Sequence, residues 1–432
     1  MTSSALSTQP DAGKIRAHVT RIVTEIPYRA AGSENGRRMA EYSRDALTAV
    51  GVRAEMHELP AVVSFPEHAE LTVRAPVEMS IQANTLGHSL LTLPEGMRGE
   101  LVYVGSGAFA DYEGKDVRGK IILTELSYSP ARHEKQRIAA LKGAIGAVMM
   151  NWGAPDNTAV PYGSVKPVWG NPTPENVDSE MPTIPCIGIS RAAGLELKRL
   201  CGEGTVDVWL RTHVENGWRP VQITVGEIAA PADSPEPEDF VLVGGHQDSW
   251  PGQQATDNAA GSGCLIELAR IFGENRDKLR RGLVFGFWTA HETGTMAGSA
   301  WFADRNWDRL RENAVAYLQI DQPACAGATA RWGTSSNAEL KGFHQRIEAA
   351  RLGTVPHYWR RQLKNGDSSF FGLGIPMFHG EGAYSEEELK TSALANLGWW
   401  HHSIENTLDK LDWDWMQVHI EIYAAYLWEL AT

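Results

Sequence analysis

The chain has 432 residues, enough for two or three domains with a sizeable core. Apolar residues make up 43% and charged residues 22%, the composition of an ordinary soluble globular protein. A net charge of -13 excludes the basic face of a general nucleic-acid binder, and no apolar run is long enough to cross a bilayer.

The N-terminal stretch MTSSALSTQPDAGK has no basic segment followed by an apolar one. Cys186, Cys201, Cys264 and Cys325 are widely spaced, with no C-x-x-C pair. Both features predict a cytoplasmic protein with reduced thiols. Residues 14–26 and 35–50 read as helices, the second with Met39, Tyr42, Leu47 and Val50 near one face and Gly51 as its stop. VRAEMHEL (52–59) alternates and reads as a strand.

From 67 to 214 the character changes. LTVRA, GELVYV, KIILTEL, AIGAVMMN and PCIGIS read as short strands between Gly and Pro punctuation, with one helix near 132–142. This stretch is expected to be a β-rich domain inserted between 1–66 and 215–432. From 215 on, strands and helices alternate. Strands are expected at 221–228, 240–245, 283–290, 314–320 and 375–380, and helices at 259–272, 298–312, 338–351 and 412–430. That alternation predicts an α/β domain with a mostly parallel sheet covered on both sides.

Ligands of open α/β sheets bind beyond the carboxyl ends of the strands. There FVLVGG runs into His246-Gln247-Asp248, LVFGFWTA into His291-Glu292, and AVAYLQI into Asp321. The loop after the first strand carries Asp257, which by itself reads equally as a helix N-cap. WWHHSIENT places His401 and His402 in a loop before the last helix. Imidazoles and carboxylates gathered at one rim suit zinc and other first-row divalent ions, and a carboxylate has two oxygens with which to bridge a pair of them. Asp248 is a candidate partner for the second ring nitrogen of His246. Trp250, Trp399 and Trp400 suggest an aromatic-walled pocket, with core packing as the equal alternative. Arg360, Arg361 and Lys364 form a basic cluster that suits a substrate carboxylate, or a solvated turn.

The segments VLVGGHQDSW, ATDNAAGSGCLIELARI, FWTAHETGTMAGSAWF, YLQIDQPA, GDSSFFGLGIP and WWHHSIENTLDKLD resemble the zinc aminopeptidase and glutamate carboxypeptidase-type family of co-catalytic metallopeptidases. YRAAGSENGRRMAEY resembles the family's entry segment, and YEGKDVRGKIILTE, AALKGAIGAVMMN and IPCIGISRAAGLEL resemble its protease-associated domain. The resemblance implies a zinc-exopeptidase-like catalytic domain and a hydrolase of amide bonds in a peptide or peptide-like small molecule. It also implies two divalent ions, zinc first, with manganese or cobalt as alternatives. Asp257 would bridge them, His246 and Asp321 would complete one ligand set, and Glu292 and His402 the other. His402 is preferred to His401 because Thr407 follows it by five residues, as in the family. Asp367 in Gly366-Asp367-Ser368-Ser369 falls in a loop that resembles one near the family's site. Trp250, Arg360, Arg361, Asp367, Trp400 and His401 are therefore the candidate substrate contacts.

One position departs from the pattern. The family has two adjacent glutamates, a general base and a metal ligand; here the pair is His291-Glu292. An imidazole suits a general base near neutral pH, which makes His291 the catalytic candidate beside Asp248. The alternatives are His291 as a substrate or metal contact, a non-peptide amidohydrolase, a mono-zinc cyclase or acyl transferase, and a receptor-like protein without catalysis. A homodimer is left open.

Overall fold

The computed structural model describes residues 6–362 and 366–432. An eight-stranded mixed sheet forms the main domain. Across it lie Arg53–Pro66, Val214–Ile228, Gly282–Trp288, Phe240–His246, Ala314–Gln319, Met377–Ala383, Ala330–Ser335 and His357–Arg361, in that order. The middle strands, Gly282–Trp288 through Met377–Ala383, are mutually parallel. The flanking pairs Arg53–Pro66 with Val214–Ile228, Val214–Ile228 with Gly282–Trp288, and Ala330–Ser335 with Met377–Ala383 are antiparallel. Every residue of Phe240–His246 is buried, as its unbroken apolar run requires of a strand covered on both faces.

One face is covered by helices Ala12–Glu25, Ala260–Gly273 and Trp413–Ala431, whose apolar residues join the sheet in one core. The other face packs Trp288, Phe302, Tyr317 and Phe370 in a second. The helix starts are set chemically. Asp11 accepts from Gly13 N–H, Ser33 from Gly36 N–H, and Asp412 from the N–H groups of Asp414 and Trp415.

The chain leaves the main sheet after Pro66 and returns at Val214. A continuous antiparallel ladder from the Arg53–Glu227 pair to the Pro66–Val214 pair brackets this excursion. Between them seven strands, the first His68–Ala75 and the last Val206–Arg211, close into a barrel. Among the described residues no helix is long and apolar enough to cross a membrane.

Several elements differ from the sequence reading. The strand expected at 52–59 continues to Pro66. The helix expected at 298–312 breaks at Asn306 into Ala297–Arg305 and Trp307–Asn313. Helix Arg191–Glu203 was not foreseen. It carries Gly194, a poor helix former, because a Cβ there would stand 2.4 Å from Cβ of Met150. Strands Ala330–Ser335 and His357–Arg361 were also missed; with them, four of the seven pairings in the sheet are parallel and three antiparallel, a mixed sheet with a parallel majority.

Candidate metal centre

Three adjacent parallel strands end at the same rim. Phe240–His246 ends on His246, Gly282–Trp288 leads through Thr289 and Ala290 to His291 and Glu292, and Ala314–Gln319 leads through Ile320 to Asp321. The strands approach so closely that a Cβ on Gly245 would lie 2.3 Å from the Ile320 carbonyl oxygen, so only glycine fits there. Asp257 sits in the turn before helix Ala260–Gly273, with φ -128° and ψ 86°. It is not the helix cap. Asn258 does that work, accepting from Gly261 N–H at 2.9 Å while donating to the Ile320 carbonyl at 2.9 Å. Asp257 is thereby left free to point into the rim.

The five residues named from sequence converge. His246 Nε2 lies 3.1 Å from Asp257 Oδ1 and 3.4 Å from Asp321 Oδ1. His402 Nε2 lies 3.2 Å from Asp257 Oδ2 and 3.1 Å from Glu292 Oε2. Asp257 therefore faces one imidazole with each oxygen. His246 Nε2, Asp257 Oδ2, Glu292 Oε1, Asp321 Oδ1, His401 Nδ1 and His402 Nδ1 are all buried without a hydrogen-bond partner. Leaving a buried polar group unpaired costs about 1–3 kcal/mol, more for a charged one. Six such atoms at one rim fit a cation-binding site. Three trios, His246–His291–Asp321, His246–Asp257–Glu292 and Asp257–His401–His402, each place their ligand atoms within 4.8 Å of one another.

Asp248 acts differently from the sequence reading. The nearer acceptor for His246 Nδ1–H is the Asp248 backbone carbonyl at 3.0 Å, with its carboxylate at 3.7 Å. That carboxylate instead accepts from the backbone N–H groups of His291 at 3.3 Å and Glu292 at 3.1 Å. It pins the loop that carries both residues, and the backbone bond on Nδ1 leaves Nε2 of His246 as the ring nitrogen facing Asp257 and Asp321.

His291 is held in a narrow slot. Its ring stacks on His246 at 3.9 Å between centroids, and a Cβ on Gly366 would fall 2.1 Å from its Cε1. Nδ1 is 2.8 Å from Asp367 Oδ2, and Asp367 accepts from Ser299 Oγ at 2.6 Å. Nε2 is 3.9 Å from Asp321 Oδ2. Burial and the adjacent His246 pull the His291 imidazolium down, but Asp367 and Asp321 outweigh them and raise it to about 9. A dication among the same residues acts in the opposite direction. Burial pushes Glu292 up, reinforced by Asp257. Burial likewise opposes charge on Asp257, but contacts with His246 and His402 bring it well below the ordinary carboxylate range.

Two cavities flank the rim. One, of about 250 Å³, lies against His401 and His402 and is walled by Arg132, Trp152 and Trp169 of the barrel region. The other, of about 350 Å³, lies against Asp321 and is lined by Arg360, Arg361, Gln362 and His379. Lys364 lies outside the described residues. Of the two readings left open for the tryptophans, packing holds for Trp250 and Trp400, and Trp152 and Trp169 form the aromatic wall instead. Trp250 is 2% exposed, stacked on Tyr162 and edge-on to His402, and seals the junction with the barrel. Trp400 is buried over Gly398, where a Cβ would lie 2.4 Å from its ring. Asp367 is fully buried on His291 rather than open to either cavity.

The sequence reading missed three supports. Arg29, wholly buried, donates to the backbone carbonyls of Gln247, Gln253 and Gln254 and so ties the loops carrying His246 and Asp257. Burial lowers its guanidinium to about 10, and Asp257 and Asp248 resist that fall. Tyr162 N–H, from the barrel region, donates to the His402 carbonyl at 2.7 Å. Arg132 Nε is buried without a partner beside the smaller cavity. Arg29 lies in the quoted YRAAGS segment, which is the one signal that pointed near it.

The family model for peptidase family M28 matches residues 225–427, and that for the PA domain matches residues 97–197. Residues 225–427 are thus an M28 peptidase domain, preceded in the chain by an inserted PA domain. It is 24% identical over 392 residues to a glutamate carboxypeptidase 2 homolog of Caenorhabditis elegans, covering 70% of this chain and 50% of that protein. It is 26% identical over 365 residues to aminopeptidase NAALADL1 of Rattus norvegicus, covering 68% and 48%. The chain thus spans about half the length of these curated relatives. A zinc aminopeptidase from Bacillus subtilis shares the fold, with a TM-score of 0.73 at 18% identity over 99% of this chain and 97% of its own. In M28 terms, the rim of the M28 domain carries the candidate ligands, and the PA domain supplies the wall with Arg132 and Trp152.

Proposed function

We propose that this chain hydrolyses an amide bond in a peptide or peptide-like small molecule, using two divalent ions, zinc first, held by His246, Asp257, Glu292, Asp321 and His402. The observation that carries this reading is the convergence of unpartnered buried nitrogens and oxygens at the rim of the M28 domain. When bound, the ions supply the Lewis acidity that ionises water and polarises a carbonyl. Asp257 would bridge them in this reading, which is supported by its one oxygen toward His246 and the other toward His402.

His291 is the general base in this reading. Its Nδ1–H donates to Asp367, which fixes the tautomer and leaves Nε2 as the basic atom at the rim. Arg132 binds a substrate carboxylate, because a buried guanidinium with an open Nε beside the cavity is a ready anion partner. A second role for His291 is favoured by one specific observation: it also belongs to the trio with His246 and Asp321. There it would be a ligand, and no proton would pass through it.

The test is a zinc-, cobalt- or manganese-reconstituted screen across aminoacyl, γ-glutamyl and N-acyl amides. Turnover should require metal and vanish on chelation. Two bound ions per chain with no hydrolysis anywhere in the panel would count against the reading, and one ion per chain would favour the cyclising alternative. His291→Ala then separates its two roles. As base, its loss should cost about 10²–10⁴-fold in kcat with metal content intact. As ligand, its loss should cost metal as well, read by elemental analysis.

A further inference from the structure

We infer that His401 is itself a metal ligand, so that the Glu292 side of the centre holds its ion with two imidazoles rather than one. This rests on the metal centre proposed above and adds a residue to it. Consecutive residues of an extended chain point to opposite sides. Here they do not, because His402 adopts a left-handed backbone with φ 58°. The turn brings both rings to the same side, stacked 3.8 Å apart at 24°.

Both rings then address one oxygen. His401 Nδ1 lies 3.3 Å from Asp257 Oδ2, and His402 Nε2 lies 3.2 Å from the same atom. The ligand atoms of Asp257, His401 and His402 fall within 4.8 Å of one another. His401 is 7% exposed, and its Nδ1 makes no hydrogen bond, although a carboxylate oxygen is within reach. Two polar atoms that face each other at 3.3 Å without bonding are placed as two ligands of one ion are. The ring is also locked, with Trp152 of the PA domain 5.5 Å away and His402 stacked on it.

The consequence is an asymmetric pair of positions. On the His402 side, Asp257 meets both imidazoles, and Glu292 lies 3.1 Å from His402. On the other, His246 and Asp321 share Asp257, and His291 is left for proton transfer. An extra imidazole raises affinity for zinc and copper more than for magnesium or calcium. The His401 side should fill first and empty last.

The experiment uses the full chain stripped of metal, titrated with zinc against a chromophoric chelator. One equivalent of Cu(II) is added separately, and its nitrogen ligands are counted by electron paramagnetic resonance. Two variants are compared. His401→Ala removes ring and nitrogen; His401→Phe keeps the ring between Trp152 and His402 but removes the nitrogen. The expected result is a first zinc equivalent weakened at least about tenfold in both variants, with the second unchanged, and a copper nitrogen count falling from two to one. His401→Phe with both zinc affinities and the nitrogen count of the native chain would overturn the inference and leave the five-residue centre standing. A native chain that binds no zinc at all would overturn both.

Discussion

The M28 domain buries two clusters of charge, and they are built on opposite rules. The first is the candidate metal centre, where carboxylates and imidazoles crowd together with six buried atoms unpartnered. The second joins strand Ala330–Ser335 to helices Leu340–Leu352 and Trp413–Ala431. There Glu348 Oε1 accepts from Arg331 Nε at 2.9 Å and from Tyr426 OH at 2.7 Å. Arg331 Nη1 donates to His419 Nδ1 at 2.5 Å, and Tyr423 OH donates to the Gly380 carbonyl at 2.6 Å. Arg331 Nη2 alone of its nitrogens lacks a partner, but the charges balance, one guanidinium against one carboxylate. A buried polar group is kept either because its partner is in the chain or because its partner arrives from outside. In the proposed reading the two clusters are one of each.

The largest expected effect tests that contrast directly. Removing one member of a satisfied buried pair leaves the other uncompensated and costs about 3–5 kcal/mol. Arg331→Ala should therefore lower the denaturation midpoint strongly. Asp257→Asn, measured in chelator, should leave the midpoint unchanged or raise it, because it removes a carboxylate from a surplus. Urea unfolding of both variants in chelator decides the matter. Equal losses in the two would erase the distinction. Adding zinc should stabilise the native chain by about 2.7 kcal/mol at a hundredfold excess over Kd, and should do so in Arg331→Ala but not in Asp257→Asn.

A smaller effect follows from pH. Burial alone would push the Glu348 carboxyl up, but hydrogen bonding to His344 and Tyr426 and the charge of Arg331 bring it to about 2, against an ordinary 4.5. A depressed carboxyl contributes stability that is fully present above its unfolded value and is lost as pH falls through its folded one. Glu348 should thus support the fold above about pH 4.5 and lose that contribution progressively toward pH 2. Glu348→Gln should flatten that part of the acid unfolding curve of the metal-free protein. An unchanged slope between those values would mean that Arg331 and Glu348 do not form the buried pair described here.

Much of the metal rim could be read from sequence because each residue follows an apolar run. His246, Glu292 and Asp321 announce themselves as polar residues where a buried strand ends, and the family resemblance selected His402 from the His401–His402 pair. What failed to show has a common cause. Arg29 bonds to backbone carbonyls more than two hundred residues away, and Tyr162 and Arg132 reach the rim from another domain. No local pattern marks such a partner. Strand Ala330–Ser335 escaped because Arg331 breaks its apolar pattern, and the residues that accept its hydrogen bonds, the carboxylate of Glu348 and the neutral His419, lie on helices elsewhere in the sequence. Trp250 was open to two readings for the reverse reason. Its place beside the HQDS segment suited a pocket wall as well as core packing, and only the PA domain, covering it from a distant part of the chain, decides for packing.

The smallest effect probes how the metal centre borrows support from a satisfied hydrogen-bond chain. Ser369 and Ser299 hydroxyls lie 2.9 Å apart, Ser299 donates to Asp367, and Asp367 holds His291. A hydrogen bond to a charged acceptor is worth about 1.5–3 kcal/mol, but Asp367 is also held by His291, so only part of that should reach the reaction. Ser299→Ala should lower kcat by no more than about tenfold, with KM and metal content unchanged. The decisive reading is coupling. In the His291→Ala background the same substitution should do nothing further, because the group that Asp367 orients is gone. If Ser299→Ala costs as much there as in the native chain, Ser299 acts on stability or substrate binding instead. The satisfied chain behind His291 would then be scaffold, and the line between the two clusters would run through Asp367 rather than around it.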